Sequence, residues 1–365
     1  MSSPMPVKGK SKLARAGSVI FALLGFALFA YFIWKAGPRN IWENIRQLGA
    51  GFLLVLFISG VRPALRALAW TQCFEAPHTL RFRDAFRAYL AGDAMGNLTP
   101  LGMVVSEPAK AAQVRHRVPL VASLSAIAVE NSFYMLSVAF FIFAGTVALM
   151  LSFPLSPRLR VTGYATLAGV AVVVTIAYFV LRRQWKFLSG TLEFFYGRGL
   201  ARRFLETKRE RARSLEERVY GFYGRNQKRF LPILLCDFGF HLATVAEIYA
   251  TLYFINVPVT ILSAFVLGSV ERLITVIFKF IPMRVGVDEA GTGLITKALR
   301  FGTGVGVTLA IVRKARVVAW TAVGLALLVR QGLSLRDVAN SEMPPEAVTL
   351  TDAATATRRR AAAGG

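Results

Sequence analysis

Long apolar stretches follow one another through most of this chain, and they constrain its fold before any motif is considered. Residues 18–34, 51–74, 119–151, 161–181, 230–255, 261–281 and 307–329 each approach or exceed the length that crosses a hydrocarbon core about 30 Å thick. In lipid, every backbone N–H and C=O must find its partner within the segment, so such stretches form helices. The expected fold is all-α, a polytopic integral membrane helix bundle. Mean hydropathy of +0.51 and 55% hydrophobic residues agree with that class.

A net charge of +24 would point to nucleic acid in a soluble protein. Here the basic residues lie mostly between apolar runs, where they orient helices and attract anionic headgroups. Zinc-finger spacing and an aromatic-basic platform are both missing from the sequence, so no nucleic-acid partner is expected. Residues 1–17, with Lys8, Lys10, Lys12 and Arg15, read as a basic cytoplasmic N-terminus. Between Arg182 and Arg229, fourteen basic residues face five glutamates, the strongest cytoplasmic signal in the chain. Leu215, Val219 and Phe222 recur there at helical spacing, which predicts an interfacial helix. Residues 333–365 read as a disordered cytoplasmic tail, leaving 18–332 as the membrane domain.

Two polar stretches break this apolar pattern. The first, Gly92 to Gln113, carries Asn97, Pro100, Gly102, Glu107 and Lys110. The second, Phe280 to Gly291, carries Pro282, Gly286 and Glu289. In both, a proline precedes a glutamate by seven residues with a glycine between. Broken helices at corresponding positions of two hydrophobic halves point to a central site in a transporter built from repeats. Basic residues flank the first stretch on both sides, so it reads as a re-entrant hairpin opening to the cytoplasm. Counting crossings from the N-terminus makes 261–300 a hairpin opening outward, so the halves are expected to be inverted repeats.

Ionisable residues inside the apolar segments are the other signal. Entered from outside, Arg62 lies about 16 Å deep, near the bilayer middle, whereas Arg66 suits a snorkelling position nearer the interface. Glu130, Glu271, Arg272, Lys279 and Arg313 also fall within apolar runs. Asp237, His241 and Glu247 share one segment and could share a polar face. Cys73 and Cys236 are far apart, the three histidines do not cluster, and no Walker A pattern is present. No metal, cofactor or ATPase site is expected.

The first stretch, with Gly92, Asn97, Pro100, Glu107 and Lys110, resembles the flippase-like transmembrane domain of bacterial lysylphosphatidylglycerol synthases and their stand-alone relatives. Pro282, Gly286, Glu289, Gly291 and Arg313 are similar to that family's second motif. The resemblance covers most of residues 15–332. It implies a multi-pass protein of the bacterial cytoplasmic membrane, with both termini cytoplasmic, that handles or flips lipid between leaflets. Ser106 stands where family members commonly carry a glycine before the first glutamate. The chain ends at Gly365 with a polar tail, so no synthase activity is expected.

The resulting expectation is a headgroup cavity formed by Arg62, Asn97, Glu107, Lys110, Glu130, Glu271, Arg272, Lys279, Glu289 and Arg313, with helix breaks at Pro100, Gly102, Pro282 and Gly286. The partner would be a membrane lipid with an anionic headgroup, and the protein would not be an enzyme. A membrane-embedded lipid-modifying enzyme and an ion or small-amine carrier are the alternatives. For the enzyme, His241 with Asp237 and Glu247 is the best constellation, but it lacks an obvious serine.

Overall fold

The computed structural model describes residues 34, 38–97, 102–183, 202–278, 284 and 286–330. Residues 18–33 of the first expected span, Pro100, Lys279, Pro282 and the C-terminal tail lie outside them. Among the described residues every regular element is helical: α1 (Pro38–Leu48), α2 (Gly51–Gln72), α3 (Phe82–Asn97), α4 (Gly102–Gln113), α5 (Leu120–Ser152), α6 (Pro157–Arg182), α7 (Arg202–Arg225), α8 (Phe230–Phe254), α9 (Ile261–Ile277), α10 (Val287–Ala298) and α11 (Thr303–Arg330). Segments Gly51–Gln72, Leu120–Ser152, Pro157–Val180 and Gln227–Phe254 are long and apolar enough to cross a membrane. The protein is a polytopic helical membrane protein.

Between the first two apolar stretches, Pro38–Leu48 form the amphipathic helix α1. The 33 residues of α5 make a rod of about 50 Å, longer than the hydrocarbon core, so it must tilt or project.

Both polar stretches fold as helix–break–helix hairpins of matched size. The first pairs 16 residues of α3 with 12 of α4, and the second pairs 17 of α9 with 12 of α10. At 1.5 Å per residue the longer arms reach only about 25 Å, short of a full crossing. Each hairpin is preceded by a long helix of 22 or 25 residues and followed by one of 33 or 28.

The hairpins close by different local means. A side chain on Gly102 would lie 2.7 Å from the carbonyl oxygen of Gly96, so only glycine lets α3 and α4 approach this closely. Ser106 donates to Asp93 across the same hairpin at 3.2 Å. In the second hairpin, Gly286 sits at φ +84° and begins α10. The Glu289 carboxylate reaches back to accept the Gly286 N–H at 2.7 Å, satisfying a donor the helix cannot. Thr260 and Ser263 cap α9 reciprocally.

Two apolar clusters hold the bundle. One joins Trp70 of α2, Tyr89 of α3, Val129 of α5, Phe222 of α7 and Ile233 of α8. The other joins Val55, Phe141, Leu252 and Leu267 with residues of α10 and α11. Along α2, Arg62 and Arg66 fall between Val55 of one cluster and Trp70 of the other. The charged residues thus form a layer between the clusters. Beyond the first cluster, Glu75 accepts from Arg225 at 3.0 Å and Asn226 at 2.7 Å, fastening the end of the basic helix α7 to the C-terminus of α2.

Candidate functional site

A cavity of about 220 Å³ opens in the charged layer. Six arginines line it: Arg62 and Arg66 of α2, Arg272 of α9, Arg284 of the second break, and Arg313 and Arg316 of α11. Among the described residues, two carboxylates, Asp93 and Glu271, share its wall. Pro63 also lines it and has no N–H to give the carbonyl of Ser59, a neighbour on the same wall. Asn97 donates to Thr321 at 3.0 Å, joining the end of α3 to α11 at the rim.

Most of the arginine charge is balanced from behind the wall. Arg66, 5% exposed, donates to Glu130 at 2.7 Å and to Asn131 at 2.8 Å, and its guanidinium lies 3.5 Å over the Tyr134 ring. Arg62 and Arg316 share one acid, Glu247, at 3.3 and 3.0 Å. Arg313 bridges Glu271 at 2.8 Å and Asp288 at 3.6 Å, and Arg284 meets Asp288 at 3.2 Å. Arg272 differs. Among the described residues it has no carboxylate partner; it donates to the Tyr134 hydroxyl at 3.0 Å, and its guanidinium lies 5.0 Å from the centre of the Phe240 ring. Its Nε is buried without a hydrogen bond.

The expected site residues divide accordingly. Arg62, Asn97, Glu271, Arg272 and Arg313 stand on the cavity wall. Glu130 stands behind it as the partner of Arg66. Lys110, 3% exposed, is held by Asp93 at 2.9 Å and Glu107 at 3.6 Å under the Tyr89 ring. Glu289 is fully buried and divided between the Gly286 N–H and Lys314. The matched pair Glu107 and Glu289 is therefore not on the wall of the arginine cavity; Glu107 ties its own hairpin, and Glu289 ties the second hairpin to α11. Gly102 and Gly286 lie at the hairpin breaks, and Lys279 lies outside the described residues.

Sequence reasoning left Arg66 to the interface, and the structure buries it. It also left Arg284, Arg316 and Tyr134 out of the expected cavity. Arg316 carried a signal, since it follows Arg313 by three residues and so lies on the same helix face. Tyr134 carried none, because an aromatic residue in an apolar helix looks like core.

Asp237, His241 and Glu247 do not form one polar face. Glu247 belongs to the arginine network. Asp237 is fully buried, with neither oxygen hydrogen-bonded. His241 places Nε2 3.1 Å from Ser137 Oγ of α5 and lines a separate apolar groove. Ser137 is the serine that the sequence could not place beside it. No cluster of metal-ligating side chains occurs among the described residues.

Arg66 of α2 meets Glu130 of α5, and Arg316 of α11 meets Glu247 of α8.

No curated protein and no solved structure gives a match to the chain. The profile of the lysylphosphatidylglycerol synthase TM region matches residues 18–328, which contain every residue of the arginine cavity. With most of its length matched and both hairpins in place, the chain belongs to the lysylphosphatidylglycerol synthase transmembrane-region family.

Proposed function

We propose that this protein translocates a lipid between membrane leaflets, taking an anionic headgroup into the arginine cavity while the acyl chains stay in the bilayer. The observation that carries this reading is the imbalance on the cavity wall, six arginines against two carboxylates, with Arg272 left without an acidic partner among the described residues. A planar guanidinium binds phosphate as readily as carboxylate. An entering phosphate can take Arg272 without unpairing any acid among the described residues, and it can then draw Arg62, because Glu247 keeps Arg316.

The hairpin arms fit this reading. Neither spans the membrane, and both end beside the charged layer, so the polar route needs to cross only its middle. We take the two halves to be inverted repeats about that layer, in the bacterial cytoplasmic membrane with both termini cytoplasmic. The chain then acts as a carrier and not an enzyme. The best catalytic pair, Ser137 with His241, opens on the apolar groove, away from the arginines.

The test is reconstitution of the full chain into liposomes carrying fluorescent phosphatidylglycerol in both leaflets. An impermeant quencher should reach the inner-leaflet lipid only in vesicles that contain the protein. Quenching that stops at half in both protein-containing and empty vesicles would refute translocation.

A further inference from the structure

We propose that the headgroup taken by the arginine cavity ends in a phosphomonoester, a terminal phosphate with two negative charges, and that Arg62 and Arg272 hold it together beside the Phe240 ring. The inference rests on the arginine cavity being the headgroup site and narrows what that site selects.

Among the described residues, three arginines of the cavity wall, Arg62, Arg272 and Arg316, have one carboxylate between them. Glu247 takes Arg62 at 3.3 Å and Arg316 at 3.0 Å, while Arg272 has the Tyr134 hydroxyl at 3.0 Å. The two carboxylates on the wall are engaged elsewhere: Asp93 holds Lys110 at 2.9 Å, and Glu271 holds Arg313 at 2.8 Å. Asp237, on the turn of α8 before Phe240, has neither oxygen hydrogen-bonded and so offsets none of the three directly. Two positive charges in this part of the layer therefore lack an acid among the described residues.

The geometry brings that surplus to one place. The guanidinium carbon of Arg62 lies 5.7 Å from the centre of the Phe240 ring, and that of Arg272 lies 5.0 Å from it. A ring face attracts a cation but carries no net charge, so Phe240 steadies both groups without neutralising either. All three residues line the same cavity.

The chemistry of the headgroup follows. A phosphodiester brings one negative charge and two free oxygens, which leaves one of these guanidiniums unbalanced in a buried layer, and that is costly. A phosphomonoester carries a charge of about −1.5 to −2 at pH 7 and three acceptor oxygens. Two planar guanidinium forks can each take a pair of those oxygens, sharing the third, and the local charge then closes.

The experiment titrates the full chain in detergent micelles with phosphatidate and, separately, with phosphatidylmethanol of identical chains, and reads binding by native mass spectrometry. The two lipids differ by one methyl on the phosphate, which removes the second charge. The wild type should bind phosphatidate about tenfold more tightly, the lower end of what a charge-assisted hydrogen bond contributes. Arg272→Gln and Arg62→Gln each leave a single surplus charge and should bind the two lipids equally. Arg272→Gln strands no acid among the described residues, and in Arg62→Gln the carboxylate of Glu247 keeps Arg316, so either variant serves if the other does not fold. Equal affinity of the wild type for the two lipids, or an undiminished preference in either folded variant, would overturn the phosphomonoester assignment and leave the headgroup reading standing. A second arm separates a lipid from a free phosphate ester: liposomes containing the protein should move fluorescent phosphatidate between leaflets and take up no radiolabelled sn-glycerol 3-phosphate. Uptake of the soluble ester without movement of phosphatidate, or failure of both lipids to bind the wild type, would remove the headgroup reading, and this inference with it.

Discussion

Arg272 and Arg313 line one cavity, yet their removal should have opposite consequences. Arg313 lies between Glu271 and Asp288, both buried. Arg313→Gln strips Glu271 of its ion-pair partner while Asp288 keeps Arg284, and breaking a buried pair this way costs about 3–5 kcal/mol. Arg272→Gln strands no acid among the described residues. It loses one hydrogen bond to Tyr134, worth about 0.5–1.5 kcal/mol. The order reverses for function. If the headgroup phosphate takes a charge-assisted hydrogen bond from Arg272, losing it costs about 1.5–3 kcal/mol of binding, or roughly 10- to 150-fold in affinity. Equilibrium unfolding in mixed micelles with increasing dodecyl sulfate measures the first quantity. Lipid translocation per folded molecule, normalised by size-exclusion recovery, measures the second. Arg313→Gln should unfold far earlier than Arg272→Gln, and Arg272→Gln should lose the larger share of transport per folded molecule. Equal destabilisation by the two substitutions, or full transport by folded Arg272→Gln, would refute the distinction between a ligand-binding arginine and a structural one.

Three further outcomes follow from the same geometry. Glu130→Ala leaves Arg66 buried and unpaired and should cost about 3–5 kcal/mol in the same unfolding assay, with Arg66→Met in that background recovering part of the loss. Gly286→Ala forces a side chain onto a backbone at φ +84° and should cost about 1–2 kcal/mol, whereas Gly291, inside α10, carries no such backbone demand. Single cysteines replacing the exposed residues His116 and Arg300, in a background lacking Cys73 and Cys236, should react with an impermeant thiol reagent from opposite sides of the membrane. Reaction of both from one side would end the inverted-repeat arrangement.

Much of the architecture was legible in the sequence because lipid leaves so few choices. Apolar length predicts helices, and Gly102 and Gly286 mark where those helices stop. The acids and bases at depth were also visible, since any charge in an apolar run stands out. Their pairing was not visible. Glu107 and Glu289 looked equivalent from their spacing to the prolines, but spacing does not say which way a side chain turns once the helix packs. Glu289 turns to its own helix start, and Glu107 to Lys110. Arg66 looked exposed because its place near the end of an apolar run permits snorkelling, and only the packing of α5 brings Glu130 to it. Ser137 and His241 are 104 residues apart, and nothing local to either helix announces their meeting.

The central claim is that the cavity recognises an anionic headgroup, and headgroup selectivity tests it most directly. Translocation rates should be measured in the same proteoliposomes for phosphatidylglycerol and for a neutral glycolipid with identical chains. The account predicts that phosphatidylglycerol crosses faster and that Arg272→Gln removes most of the difference. Equal rates for the two lipids in the wild type would contradict it.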